Sequence, residues 1–150
     1  MKSAIAAAVL LLAGLAMTGA PHAARAEGKA HHLAIHVDEN DPAKMNIALN
    51  NAKNVTDYYA AMGETVEIEI IAYGPGLHMY RADTSPVKDR IAAMSLANEH
   101  LKFSACGNTL SGMTRKEGKA PTLISEARIV PSGVVRLMEL QEQGWTYVRP

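Results

Sequence analysis

The sequence is poor in cysteine and in aromatic residues. Among 150 residues it has one cysteine, one tryptophan and one phenylalanine, and aromatic residues make up 5% of the chain. A single cysteine excludes an internal disulfide and any zinc site built on paired cysteines. Basic and acidic residues balance at 15 each. Because the chain has no basic cluster or arginine-rich helix, we expect no nucleic-acid partner.

Long apolar runs are also missing, except at the start of the chain. Met1-Lys2 carries a positive charge, Ile5 to Ala16 is apolar, and Ala24-Arg25-Ala26 places small residues before a cleavage point. This pattern predicts a signal peptide over 1–26 and a periplasmic or secreted protein over 27–150, with no membrane span after cleavage. An uncleaved anchor is the alternative, although the apolar run is short for a span.

Residues 27–150 suit a single domain, and strand and helix patterns alternate along them. His32 to Asp38 is apolar enough for a buried strand. Asp41-Pro42 then begins a helix, with Asp41 as N-cap, and Gly63 ends it. The full order predicts an α/β fold: one flavodoxin-like three-layer domain with a five-stranded, mostly parallel sheet.

The second predicted strand, Thr65 to Ala72, alternates apolar and acidic residues around Glu67 and Glu69. Two carboxylates on one face favour an edge position, so we expect the strand order 2-1-3-4-5. Strands one and three would then be neighbours, and Asp38 and Cys106 would border the crevice at their carboxyl ends.

Cys106 follows a short strand and precedes an expected helix that opens with Gly107, Asn108 and Thr109. The positive end of a helix and its unpaired N–H groups favour the thiolate over the thiol. An unpaired cysteine in an exported protein is buried and inert, joined to another molecule, or chemically useful. All three readings stay open at this point.

Four segments in this order resemble the DsrE/DsrF-like family: an acidic turn after the first strand, Ala72 to Leu77, Phe103 to Leu110, and a closing helix and strand that carry Pro131 to Val134 and Gly144 to Val148. The resemblance spans 32–150. It implies a small α/β subunit that forms a homotrimer or homohexamer, and a cysteine that passes sulfur as a persulfide. That cysteine corresponds to Cys106 here. The export signal is a departure from the familiar cytoplasmic relays.

Other residues are candidates for binding around Cys106. Asp38 ends the first strand, Tyr73 and Gly74 lie in the segment after the second, and His78 follows them. His78 is either a loop histidine in solvent or a base beside the thiol. We expect no metal and no cofactor. His32 and His36, for example, would lie roughly 13 Å apart along a strand, too far to share one ion.

The expected function is therefore sulfur handling by an exported carrier, rather than turnover of a small substrate. Cys106 would accept sulfane sulfur from a donor protein and pass it to an acceptor protein. The alternative is a non-catalytic oligomeric module of the same fold that binds a small ligand or a protein. Leu77, Met79 and Tyr80, in an expected loop, are apolar enough to be interface residues.

Overall fold

The computed structural model describes residues 30–150. The predicted signal peptide, 1–26, lies outside the described residues and stays a prediction. Strands and helices alternate in the order β1 (His31–Val37), α1 (Pro42–Ala61), β2 (Val66–Ala72), a 3-10 helix (Gly74–Tyr80), α2 (Lys88–Ala97), β3 (Leu101–Cys106), α3 (Gly107–Glu117), β4 (Ala127–Val130), α4 (Gly133–Glu142) and β5 (Thr146–Val148).

The fold is α/β, with one five-stranded sheet in which every strand pair is parallel. The strand order is β4-β3-β2-β1-β5. The predicted order 2-1-3-4-5 is therefore wrong, because β2 occupies the centre of the sheet. It pairs with β1 from His31↔Val66 to Val37↔Ala72 and with β3 from Ile68↔Leu101 to Ala72↔Ala105.

The error comes from the two glutamates of β2. Their alternation is typical of a half-exposed edge strand, but here cationic side chains neutralise both carboxylates. Glu67 pairs with Lys102 on β3 at 3.1 Å. Glu69 is fully buried and pairs with Arg136 on α4 at 2.8 Å. A paired and hydrogen-bonded carboxylate is tolerated in a central strand.

The two faces of the sheet are covered unequally. The large core lies on one face, where Met45, Leu49 and Ile91 of α1 and α2 pack against alternate residues of β1, β2 and β3. Of the described helices, only α4 joins the smaller cluster on the other face, through Leu137 and Leu140. One short helix leaves much of that second face to polar and charged side chains.

The start of α1 is as the sequence predicts. Asp41 is the N-cap and its carboxylate accepts a hydrogen bond from Ala43 N–H at 2.8 Å, while Pro42 opens the helix. Gly63 follows the helix with φ +72°, a conformation that glycine adopts without steric cost.

The segment after β2 is a buried 3-10 helix rather than a loop. Leu77, Met79 and Tyr80 are fully buried in the core, so their assignment as interface residues is wrong. This helix lies tightly against β1. A Cβ at Gly76 would come within 2.3 Å of the Val37 carbonyl oxygen, so this close approach requires glycine.

The observed strand order also changes the crevice. Because β2 separates β1 from β3, Asp38 and Cys106 are not neighbours at the carboxyl edge, and Tyr73 at the end of β2 lies between them. Among residues 30–150, no helix is long and apolar enough to span a membrane.

Candidate functional site

Cys106 is the last residue of β3 and the N-cap of α3, at the strand-to-helix junction that its sequence context predicts. It is free and buried, with 4% of its surface exposed. Gly107 follows at a position with little room for a side chain, since a Cβ there would lie 3.1 Å from the Val130 carbonyl oxygen. The sulfur therefore lies where β3, β4 and α3 meet.

Polar groups surround the sulfur. Burial is the largest influence on the thiol and by itself would raise its pKa. The opposing groups outweigh burial and lower the pKa of Cys106 from its ordinary value; they are the Thr109 hydroxyl and the backbone N–H groups of Gly133, Thr109 and Asn108. The side chain makes no capping hydrogen bond to α3. These groups therefore act as dipoles directed at a developing negative charge.

Two helices supply these dipoles. Asn108 and Thr109 lie in the first turn of α3, and Gly133 is the first residue of α4. The Thr109 hydroxyl also accepts a hydrogen bond from Gly74 N–H at 2.9 Å. An accepted hydrogen bond polarises a hydroxyl and makes it a better donor. The structure thus brings together the predicted residues Gly74, Thr109 and Cys106.

Tyr73 and Gly133 form the wall beside the sulfur. A Cβ built at Gly133 would lie 2.9 Å from Tyr73 Cδ1 and 3.2 Å from Cys106 Cβ. Glycine is therefore required where α4 begins. Burial and the nearby Asp38 carboxylate raise the pKa of the Tyr73 phenol, so it stays protonated at neutral pH.

On the other side of Tyr73 lies a buried histidine that the sequence analysis did not select. The His36 ring stacks on Tyr73 with centroids 4.4 Å apart, and its Nδ1 is 2.8 Å from the Tyr147 hydroxyl. Its Nε2 has no hydrogen-bond partner among residues 30–150, and the closest carboxylate, that of Asp38, is 3.9 Å away. Burial lowers the pKa of His36 despite that carboxylate.

The remaining predicted site residues, Asp38 and His78, contact groups other than the thiol. Asp38 forms an ion pair with Arg149 at 2.9 Å. His78 Nε2 lies 3.2 Å from the Thr84 carbonyl oxygen. Within the described residues no hydrogen bond joins His78 to Cys106. The pairing of His78 with the thiol therefore has no support in the observed contacts.

A buried ionic cluster lies below the thiol on the face covered by α4. Glu69 accepts hydrogen bonds from Ser104 Oγ at 2.6 Å and from Arg136, and Arg128 pairs with it at 2.7 Å. The sequence pattern does not predict this cluster, because it places Glu69 on an edge strand. The available signal was the presence of two arginines, on the fourth strand and the fourth helix, with no assigned partner.

The site suits nucleophilic sulfur chemistry and lacks the features of a metal centre. In the part of the chain that the structure describes, no group of three or more His, Cys, Asp or Glu side chains is placed to hold a metal ion. A cysteine with a lowered pKa at the junction of two helix amino termini can act as a nucleophile or carry an anionic sulfur.

Comparisons with known proteins support the fold. No protein-family profile matches the chain, and no curated protein matches it. Among solved structures, the chain is similar to the protein of unknown function MTH1491 from Methanobacterium thermoautotrophicum. The two share 29% sequence identity with a TM-score of 0.68, over 80% of this chain and 99% of that chain. Function must therefore be argued from the site.

Proposed function

We propose that this chain is an exported DsrE/DsrF-like carrier that accepts sulfane sulfur as a persulfide on Cys106 and passes it to a partner protein. The observation that carries the proposal is the set of dipoles around one sulfur. The Thr109 hydroxyl and the amino ends of α3 and α4 all favour an anion there, against the cost of burial. A sulfur carrier needs such a site in two states, because both the thiolate before transfer and the persulfide after it are anions.

The transfer step needs no further oxidant or reductant. The Cys106 thiolate attacks the outer sulfur of a donor persulfide, R–S–SH. A sulfur–sulfur bond forms to Cys106 and the sulfur–sulfur bond of the donor breaks. The donor leaves as the thiolate R–S⁻ with the electron pair, and the proton stays on the transferred sulfur.

The burial of Cys106 sets a condition on this step. A residue that is 4% exposed meets a donor only after a neighbour moves. Tyr73 is the neighbour best placed to do so, because it is partly exposed and its ring packs against Gly133 beside the thiol. Movement of this ring would open the sulfur without unfolding β3 or α3.

The test is intact mass spectrometry after incubation with inorganic polysulfide as the sulfane-sulfur donor. The wild-type protein should gain the mass of one sulfur atom, and thiol reductant should remove it. Cys106→Ser is the matched control and should gain nothing. Absence of the adduct on the folded wild-type protein, with normal labelling of the denatured chain, would refute sulfur transfer at this site.

A second candidate function is a non-catalytic oligomeric binding module, and two observations favour it. Cys106 is buried, as an inert core cysteine would be. In addition, four apolar side chains on β4 and α4 are about half exposed: Ile129 at 59%, Val134 at 52%, Val135 at 48% and Met138 at 55%. We call these four residues the α4 patch.

The α4 patch also supports the proposed homotrimer or homohexamer. Exposed apolar side chains grouped on one edge strand and one helix are typical of protein interfaces. Ile129 and Val135 line a groove of about 380 Å³ together with Arg128 and Glu139. Apolar side chains bordered by paired charges suit a contact between identical subunits.

A further inference from the structure

The buried carboxylate of Glu69 is the least expected feature of the sheet. It lies in the central strand with no exposed surface. Burial opposes its ionisation, yet hydrogen bonds from Arg136, Ser104 and Arg128 hold its pKa at about 2, so it is charged at every physiological pH. Replacing such a cluster with apolar side chains is often neutral or stabilising in proteins, so stability alone does not explain it.

The geometry of the cluster is directional. Arg136 reaches Glu69 through two nitrogens, Nε to Oε1 at 3.0 Å and Nη2 to Oε2 at 2.8 Å. A two-point pair of this kind fixes both the distance and the orientation of the arginine. Ser104 Oγ holds Oε1 from β3 at 2.6 Å, so the carboxylate itself cannot rotate. Arg136 is thereby tied to one place on the sheet.

Arg136 lies in the first turn of α4, close to the part of that helix that approaches the thiol. Gly133, the first residue of α4, contributes the N–H group near Cys106. Within the described residues, Ser132 at the N-cap makes no capping side-chain hydrogen bond. The start of α4 therefore lacks the usual local anchor.

Apolar packing does not provide a precise substitute. Leu137 and Leu140 hold α4 on the sheet against Ala34 and Ile71. Such contacts are non-directional and tolerate a small slide of the helix. A slide of a few tenths of an ångström would change the distance from the Gly133 N–H to the sulfur, and helix-end effects fall off within the terminal turn.

We propose that Glu69 and Arg136 are positioning residues that hold the amino end of α4 against the Cys106 sulfur and so set the reactivity of that thiol. The inference rests on the thiolate role of Cys106 that the proposed function uses, but not on sulfur transfer itself. Neither residue touches the sulfur in the contacts described, and both act through Gly133.

The test is the ionisation midpoint of Cys106, measured by the far-ultraviolet absorbance of the thiolate. Cys106→Ser provides the baseline, because the chain has one cysteine. This readout does not depend on reagent access. The double variant Glu69→Gln/Arg136→Met replaces the pair with neutral groups of similar size. Its midpoint should rise by about half a pH unit to one unit, about 3- to 10-fold less thiolate at neutral pH.

The matched control is Glu67→Gln/Lys102→Met. This pair joins β2 to β3 on the face of the sheet that carries Glu69, with 3.1 Å between the charged atoms, and among the described residues its ion pairs and hydrogen bonds do not involve α4. Its midpoint should match that of the wild-type protein. A second variant, Arg136→Lys, keeps the charge and loses the two-point geometry, so it should give a smaller upward shift of the midpoint. It replaces the double variant as the test if that protein fails to fold.

An unchanged midpoint in a folded Glu69→Gln/Arg136→Met protein, or in Arg136→Lys when the double variant is unfolded, would overturn the proposal. An equal shift in the Glu67→Gln/Lys102→Met control would do so too, because the effect would then be general electrostatics. The sulfur-transfer proposal fails separately. In that case the midpoint shifts as expected and the polysulfide adduct is absent.

Discussion

The Thr109 hydroxyl connects the segment after β2 with the ionisation of Cys106. It accepts from Gly74 N–H at 2.9 Å, and it is the strongest of the groups that favour the Cys106 thiolate. Because its oxygen accepts this bond, the hydroxyl proton is free to be donated to the sulfur when the thiolate forms, and hydrogen bonds to charged groups are stronger than neutral ones. Its removal should therefore be visible in the ionisation of Cys106.

We expect Thr109→Val to raise the pKa of Cys106 by about one unit, because a hydrogen bond to a charged group contributes on the order of 1.5 kcal/mol. Thr109→Ser retains the hydroxyl and should leave the midpoint close to the wild-type value. Thiolate absorbance against pH measures both. Equal midpoints for the valine and serine variants would show that the hydroxyl does not act on the sulfur.

The burial of His36 should make the stability of the fold depend on pH. Burial lowers its pKa below the ordinary 6.5, so below that pH the unfolded chain binds a proton that the folded chain does not. Stability should therefore fall as the pH drops below 6.5. In His36→Gln this part of the loss should disappear, as measured by urea unfolding at several pH values. Parallel curves for the two proteins would contradict the assignment.

At the scale of elements, how much the sequence predicts depends on how local each cause is. The start of α1 is predictable because Asp41 and Pro42 act within one turn. The position of β2 is not, because the groups that neutralise Glu69 lie on β4 and α4, 59 and 67 residues later. Only the folded chain shows that an acidic alternation belongs to the centre of the sheet.

The same distinction applies to the candidate site. Cys106, Gly107, Asn108 and Thr109 are adjacent in the chain, so their junction could be predicted. The contribution of Gly133 could not, because α4 reaches the sulfur only after the chain crosses to the other face of the sheet. His78, selected for its place after Gly74, instead faces the Thr84 carbonyl.

The junction of α4 with the site can be tested with a pair of glycine variants. Gly133→Ala should destabilise the fold and raise the pKa of Cys106, because its Cβ would meet Tyr73 Cδ1 at 2.9 Å and Cys106 Cβ at 3.2 Å. Gly112→Ala is the control. Its nearest contact is the end of the Arg115 side chain at 3.8 Å, so it should gain about 1 kcal/mol in helix propensity.

Thermal unfolding and the thiolate midpoint, measured on both glycine variants, separate the two effects. Gly112→Ala should raise the melting temperature and leave the midpoint unchanged. Gly133→Ala should lower the melting temperature and raise the thiolate midpoint. A stabilised Gly133→Ala protein with an unchanged midpoint would mean that α4 can move away from Tyr73 without consequence for the thiol.

For the whole molecule, the unequal covering of the sheet matters most. Three helices and the 3-10 helix cover one face, while α4 is the described helix on the other. Val134, Val135 and Met138 of the α4 patch lie on this thinly covered side, and Ile129, in register with Ala105 of the larger core, lies on the edge strand β4. An assembly that buries the patch would place a second subunit next to the helix whose first residue adjoins Cys106, and would connect oligomerisation with access to the thiol.

The proposed homotrimer or homohexamer should be visible at micromolar concentration, as measured by light scattering coupled to size exclusion of residues 27–150. Val134→Glu/Met138→Glu should reduce the mass, because charges in an apolar interface lose hydration without gaining a partner. Leu96→Glu is the matched control: Leu96 is 92% exposed on α2, outside the patch, and its substitution should leave the mass unchanged. A wild-type mass near one subunit would refute the assembly. Dissociation by Leu96→Glu with an intact Val134→Glu/Met138→Glu oligomer would instead place the interface on α2, away from the thiol.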